Sequence, residues 1–468
     1  MTHIHLIGIG GSGLSAIARI LLESGYVVSG CDRQLTPITE RLSQAGALIM
    51  IGHHPDHIIG ADLIVRSSAV KDDNVEVIAA KASGVSILKR AEFLGKITAD
   101  FQVIAVAGTH GKTTTTAMLS WMLTDLGMDP SFIIGGISHN LGTNAHAGSG
   151  DYFIIEADEY DRMFLGLRPR VAIVTNIEHD HPDCFPTPLD YYESFVEFAN
   201  CLDETGTLIA CRDDPGSARL IQQCKLQKKN TESYGVYLPQ NQVHADFEAM
   251  DINLNEVGCY RFTLMKNGKT LAEVSLQVPG EHNVQNACGT LAVADHLELS
   301  IVDAARTIGD FQGTERRFEI RGEVEGITVI DDYAHHPSEI RATLASARAR
   351  FGNHSIWAVW QPHTYSRTRL FFQEYANSFI HADHVLVTEV YGAREESQGD
   401  LSANQLVEAM DHNDAHFVSG IEDATDYLIN RLRPGDILLV LSAGDGDRIS
   451  TNIIDSLSHD RSAHYATR

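Results

Sequence analysis

Between an apolar stretch at 103–106 and a helical pattern from about 114 to 126 stand eight small and polar residues, Ala107-Gly108-Thr109-His110-Gly111-Lys112-Thr113-Thr114. No other feature of the chain narrows its fold as far. A strand that turns through glycines into a helix aims backbone N–H groups and a lysine at one point, as the binding of nucleotide phosphates requires. Such a turn belongs to layered α/β architecture, where helices return over a parallel sheet. Gly108, Thr109, His110, Gly111, Lys112, Thr113 and Thr114 are the candidate nucleotide residues, with Lys112 on the phosphates and Thr113 or Thr114 on Mg²⁺. Val106 stands where the general phosphate-loop pattern has its first glycine, so the reading rests on the strand–helix setting as much as on the motif.

Two acidic segments follow later apolar runs. Glu156-Ala157-Asp158-Glu159 ends a strand at 152–155, and Glu178-His179-Asp180-His181 follows one at 171–175. Carboxylates at the ends of parallel strands beside a phosphate loop are where ligands of Mg·ATP belong. The spacing of Glu-His-Asp-His matches no common zinc site. A second glycine-rich turn, Gly8-Ile9-Gly10-Gly11-Ser12-Gly13, separates a strand at 4–7 from Leu14, Ile17, Ala18, Leu21 and Leu22 at helical spacing. It suits a pyrophosphate at a helix N-terminus, with Asp32 after the next strand on a ribose hydroxyl; alone it suggests a dinucleotide.

At about 150 residues per domain, the 468-residue length suggests three domains. Breaks near 99 and 313 divide the chain into 1–99, 100–313 and 314–468. Segment 63–65 reads as another strand of the first part. Residues 230–280 alternate around Lys266-Asn267-Gly268-Lys269 and predict antiparallel hairpins. A third α/β unit runs through strands at 327–330, 356–360, 385–387 and 437–441.

A formal charge of −26 opposes nucleic-acid binding, which needs a basic field. No apolar run approaches the ~20 residues of a membrane span, and Met1 leads straight into a strand pattern with no signal-like leader, so a soluble cytoplasmic protein is expected. Seven dispersed cysteines without a CxxC argue against a disulfide framework and a structural zinc site. His53-His54-Pro55-Asp56-His57 reads as a surface turn rather than a metal site.

Further polar segments sit at strand ends or helix starts: 279–287, 311–319, Asp331-Asp332-Tyr333-Ala334-His335-His336-Pro337 and 361–369. With Ser67-Ser68-Ala69 and the loops above, these segments in this order make the chain resemble the Mur ligase family along essentially its whole length, and most closely the alanine-adding type. The resemblance implies an N-terminal Rossmann-like domain for a UDP-sugar, a central P-loop ATPase and a C-terminal Rossmann-like domain for an amino acid. It assigns the first glycine-rich loop to UDP pyrophosphate instead of a dinucleotide. Gly8, Gly10, Gly11, Ser12, Gly13, Asp32, His53, Ser67 and Ser68 become the sugar-nucleotide residues. Lys112 is implied on the ATP phosphates, Thr113 and Glu156 on one metal ion and His181 on a second. Asn283 and Asn286 are implied near adenine, Arg317 near the γ-phosphate, Asp332 and His335 at the domain junction, and His335 with Arg367 near the amino acid. Lys112, Arg317, His335 and Arg367 form the implied catalytic set. Relatives often carry a basic residue at Thr364, and many have serine at Tyr160.

The implied reaction joins L-alanine to the lactyl carboxylate of UDP-N-acetylmuramate in peptidoglycan precursor synthesis. It uses ATP and Mg²⁺, with Mn²⁺ tolerated, in a monomer or weak homo-oligomer without nucleic-acid or membrane partners. One alternative is a recycling ligase that attaches the alanyl-glutamyl-diaminopimelate tripeptide to the same sugar. Another, of a different class, is a sensor that binds UDP-sugar and ATP without turnover.

Overall fold

The computed structural model describes residues 1–237, 244–397, 399 and 401–465. Its strands form three sheets. The first contains β1 (His3–Ile7), β2 (Val27–Asp32), β3 (Leu48–Ile51), β4 (Leu63–Arg66) and β5 (Ser86–Lys89), all parallel in the order 3-2-1-4-5. Strand order reverses at β1, so the turn at 8–13 opens at the switch point where such sheets form a crevice. β1 is buried on both faces from Ile4 to Ile7, with the polar His5 enclosed between apolar Ile4 and Leu6. The short strands β3 and β5 went unpredicted, although β3 is apolar throughout, Leu48-Ile49-Met50-Ile51.

The second sheet holds β6 (Gln102–Ala107), β7 (Ser131–Ser138), β8 (Thr143–His146), β9 (Tyr152–Glu156), β10 (Val171–Val174), β11 (Thr207–Cys211), β12 (Asn230–Val236), β13 (Phe247–Leu254), β14 (Tyr260–Lys266) and β15 (Lys269–Ser275). Their order is 15-14-13-12-11-10-6-9-7-8. β6 lies between β10 and β9, parallel to both. Part of the expected antiparallel stretch is corrected: β12 runs parallel to β11 and to β13, and only β13, β14 and β15 alternate in direction. Residues 238–243 of that stretch lie outside the described residues. Asn267 and Gly268 close the last hairpin with φ of 47° and 76°, the left-handed pair a tight hairpin turn demands.

The third sheet combines β16 (Glu319–Val324), β17 (Ile327–Asp332), β18 (Ile356–Trp360), β19 (His384–Val387), β20 (Ala415–Phe417) and β21 (Ile437–Leu441) in the order 16-17-21-18-19-20. All are parallel except β16, which forms a hairpin with β17. No helix among the described residues is long and apolar enough to cross a membrane.

One apolar core joins the first two sheets, running from Leu6 and Ile17 through Phe93 and Leu94 to Ala105 and Phe153. Backbone meets backbone at its rim. A Cβ on Gly166 would lie 2.2 Å from the Ala91 carbonyl oxygen, and one on Gly95 would lie 2.5 Å from that of Gly166. Neither carbonyl can rotate away as a side-chain tip can. Gly166→Val is therefore expected to cost about 1–3 kcal/mol through overpacking, seen as a lower midpoint for the first thermal transition. Gly322→Ala, where a Cβ meets nothing within 4 Å, is the control and leaves that midpoint in place.

Candidate active site

The turn after β6 faces outward between the loops that follow β9 and β10. Gly108 adopts φ 139°, and a Cβ there would sit 1.9 Å from Thr175 Oγ1. The loop after β10 holds this turn in shape. Thr109 N–H donates to the Asn176 carbonyl at 3.1 Å, His110 N–H to Asn176 Oδ1 at 2.8 Å, and Thr109 Oγ1 to the Glu178 carbonyl at 2.7 Å. Lys112 opens the helix Lys112–Asp125. Its ammonium donates to the Gly108 and Thr109 carbonyls and pairs with Glu159 at 2.9 Å. Burial disfavours the Lys112 charge, but Glu159, Asp158 and Glu156 outweigh it and push the pKa up.

Thr113 Oγ1 donates to Glu156 Oε1 at 3.0 Å, and Gly135 N–H donates to the other carboxylate oxygen at 2.7 Å. A hydroxyl and a carboxylate side by side are hard oxygen donors of the kind Mg²⁺ prefers. Burial raises the Glu156 pKa against the opposing effect of Lys112 and Arg317, so a further cation beside it would be favoured. His181 takes φ 53°, outside the usual range for a side chain of its size, and its Nε2 lies 3.7 Å from Glu159.

The third sheet closes over this loop. Arg367 grips Asp180 with two bonds, Nε–Oδ1 at 2.7 Å and Nη2–Oδ2 at 3.3 Å, both side chains being about 5% exposed or less. Burial would raise the Asp180 pKa, but Arg367, His181 and His335 hold it well below the ordinary carboxylate range. His335 Nδ1 donates to the Tyr333 carbonyl at 3.0 Å, leaving Nε2 bare and 3.9 Å from Asp180. Burial pushes its pKa down to about 3, so it is neutral at physiological pH. His110 is the opposite case. Burial disfavours its charge, but Glu339 at 3.0 Å and Glu178 at 2.9 Å raise its pKa to about 9, so it is an imidazolium bridging the two sheets. Arg317 lies 3.9 Å from Glu339, its guanidinium 5.1 Å from the Tyr333 ring centre.

Asn283 and Asn286 lie on the buried face of the helix Glu281–His296, joined by a 2.9 Å bond. With Gly111, Thr114, Arg317 and Asp332 they line a cavity of about 250 Å³. Asp332 accepts N–H bonds from Phe318 and Ala334, both 2.7 Å, and so shapes the segment that carries Arg317 and His335. Burial raises its pKa to about 6.

The first sheet supplies the other wall. Gly10 N–H donates to Asp32 Oδ2 at 2.8 Å, which engages Asp32 with the turn itself. Gly8, with φ 85°, lies against Ser67, while Gly11 makes a 3.2 Å turn bond to the Gly8 carbonyl. Ser68 is exposed. Ser12 and Gly13 open onto a cleft of about 1080 Å³ shared with Lys112, Thr113, Glu156, His181, Arg317, His335 and Arg367. That exceeds the volume of a usual single-ligand pocket. Arg90 lies over Gly13 and donates to Asp158 at 3.3 Å.

His53 departs from this group. Its Nδ1 turns to Cys31 Sγ at 3.3 Å, and with His57 it stands partly buried around Glu76, so 53–57 is not the plain surface turn expected. Glu339 and Arg90 were missed altogether, although Glu339 had a local signal: three residues after His336, it completes a helix-start pattern.

The chain matches three family descriptions: the Mur ligase family catalytic domain over residues 3–102, the Mur ligase middle domain over 106–294, and the Mur ligase glutamate ligase domain over 316–444. It is 43% identical over 463 residues to a UDP-N-acetylmuramate–L-alanine ligase of Roseiflexus sp. (strain RS-1), covering 97% of this chain and 99% of that relative. A protein of the same name from Caldanaerobacter subterraneus is 40% identical over 445 residues, 94% of this chain and 95% of the relative. Among solved structures, the UDP-N-acetylmuramate–alanine ligase of Thermotoga maritima superposes with TM-score 0.83 at 28% identity, covering 98% of this chain and 100% of that one. A murein peptide ligase of Psychrobacter arcticus gives 0.70 at the same identity, covering 98% and 99%. On these matches and on the phosphate-loop geometry, the chain belongs to the Mur ligase family.

Proposed function

We propose that this protein is a cytoplasmic UDP-N-acetylmuramate–L-alanine ligase that acts through an acyl phosphate. One observation carries the reading: a single cleft is walled by the turn of the first sheet, the phosphate loop of the second and the basic residues of the third. The close likeness to the alanine-adding relatives over nearly the full chain selects the amino acid.

A carboxylate cannot be attacked by an amine as it stands, because its leaving group would be oxide. An oxygen of the lactyl carboxylate therefore attacks the γ-phosphorus of ATP, the bond to the β-phosphate oxygen breaks, and ADP leaves. The amine of L-alanine then attacks the acyl carbon, phosphate departs, and an amide remains. The first step brings anion against anion, so positive charge fixed before the reaction is the main requirement. Lys112 serves the ATP phosphates and Arg317 the transferring phosphoryl group. Thr113 and Glu156 would hold Mg²⁺, with His181 at a second ion, and bound metal supplies charge neutralisation between phosphate and carboxylate. Mn²⁺, which accepts imidazole more readily, should substitute. Arg367, anchored on Asp180, is placed to meet the amino acid's carboxylate. His335 keeps Nε2 bare and so can accept a hydrogen bond from the incoming amine and orient it, while a pKa pushed down to about 3 makes it a weak proton acceptor until a substrate charge raises it.

Lys112→Ala should lower kcat by at least about 10²–10³ and leave UDP-N-acetylmuramate binding nearly unchanged in calorimetry. A parallel collapse of sugar affinity would contradict the division between the sheets. In a phosphate-release assay, L-alanine should give the highest kcat/KM. Glycine and L-serine should fall below it by about 10–200-fold, since a pocket discriminates single small groups weakly. A higher value for the alanyl-glutamyl-diaminopimelate tripeptide would favour the recycling activity instead. Absence of turnover with every amine would favour a sensor.

A further inference from the structure

Three side chains with metal-binding chemistry meet where the ligase reaction uses none of them. His5 on β1, Cys31 on β2 and Glu76 in the first turn of the helix Val75–Ser83 are all fully buried. Their ligand atoms all lie within 4.8 Å of one another. Cys31 Sγ is 2.9 Å and His5 Nε2 3.4 Å from Glu76 Oε2, while His53 Nδ1 is 3.3 Å from Cys31 Sγ and 3.5 Å from Glu76 Oε1.

Hydrogen bonding fixes which atom of His5 points inward. His3 Nδ1 is 2.9 Å from the Gly60 carbonyl, which can only accept, so that nitrogen carries the proton. A neutral His3 then presents a bare Nε2 to Ser29 Oγ at 2.8 Å and takes the hydroxyl proton. Ser29 is left to accept from His5 Nδ1, also at 2.8 Å. With its proton on Nδ1, a neutral His5 aims the Nε2 lone pair at the Glu76 carboxylate. The Cys31 S–H donates to the same carboxylate oxygen, Oε2, at 2.9 Å. His5 Nε2 thus faces that oxygen with no proton of its own to offer, and a cation in place of the thiol proton would engage nitrogen, sulfur and oxygen together.

We propose that this point is a site for a divalent transition ion of the zinc class, bound by His5 Nε2, the Cys31 thiolate and Glu76, with His53 Nδ1 as fourth ligand. Bonds of about 2.0–2.3 Å at tetrahedral angles put donor atoms roughly 3.3–3.6 Å apart. Glu76 Oε2 to His5 Nε2 at 3.4 Å and Cys31 Sγ to His53 Nδ1 at 3.3 Å match this, and Glu76 Oε2 to Cys31 Sγ at 2.9 Å would open slightly as the metal replaces the thiol proton. Binding replaces the thiol proton by the metal and releases it to solvent. Thiolate and carboxylate then balance the two positive charges, leaving the buried site neutral. Sulfur and imidazole select zinc or cobalt over magnesium. The outer contacts are those of a built site: Ser29 orients His5, and His57 Nδ1 at 2.8 Å with His54 N–H at 3.1 Å holds Glu76 Oε1. The site also touches the sugar loop, since the Cys31 carbonyl accepts N–H bonds from Gly8 and Ile9 at 2.9 and 3.1 Å.

The test uses the full chain, stripped with chelator and titrated with Co²⁺ and then Zn²⁺, beside Cys31→Ser and Glu76→Gln. The wild type should take up one Co²⁺ with a thiolate-to-cobalt absorption band that Zn²⁺ abolishes. Cys31→Ser should lack the band, and either variant should weaken Zn²⁺ binding by at least about 100-fold while ATP binding persists. Should a variant fail to fold, the wild-type cobalt spectrum and stoichiometry decide alone. Cobalt uptake without a thiolate band, equal Zn²⁺ affinity in wild type and Cys31→Ser, or a His5 imidazolium seen by nitrogen NMR in a chain that takes up no metal would overturn the proposal.

Discussion

The buried pair between Arg367 and Asp180 is the contact on which the assembled cleft depends. One partner comes from the third sheet and the other from the loop after β10, and both are almost wholly removed from water. Such a pair adds little net stability by itself, because desolvation offsets the attraction. Breaking it is another matter, since a lone buried charge costs about 3–5 kcal/mol. The pair thus selects the closed arrangement that puts His335 and His181 on the same carboxylate. His110 repeats this arrangement beside it, a charged imidazole held between Glu178 and Glu339 from different sheets.

Electrostatics also explains how an acidic protein handles acidic substrates. The chain carries −26 overall, yet its cations converge on the cleft: Arg90 over the first loop, Lys112 in the second, and Arg317 and Arg367 from the third sheet. Each is held by a carboxylate, namely Asp158, Glu159, Glu339 and Asp180 respectively. Those partners keep the bases fixed before substrate arrives, so little reorganisation is left for the reaction. The same carboxylates would repel a phosphate if left uncompensated, which is a physical reason for the metal ions proposed at Glu156 and His181.

Much of this was legible in the sequence because the signals were local. The loop from Gly108 to Thr114 declared itself through its strand and helix, and the acidic ends of β9 and β10 fell beside it as parallel order required. What stayed hidden was set by distant partners. The alternation of β12 gave no direction of pairing, and its parallel match to β13 rests on contacts such as Ser233 with Asp246. Glu339 meets His110 across 229 residues. His53 read as surface because nothing near it in the chain reveals Glu76 beneath it. Asp32, a natural ribose ligand by position, is instead committed to the Gly10 amide.

The central claim is that the muramate carboxylate is phosphorylated in this cleft before the amine attacks. It is tested most directly with UDP-N-acetylmuramate carrying ¹⁸O in its lactyl carboxylate, followed by mass spectrometry of the released phosphate. An acyl phosphate transfers one labelled oxygen from the carboxylate to the phosphate during turnover with L-alanine. Phosphate released without label would contradict the account, because ATP would then have been cleaved by water and not by the substrate.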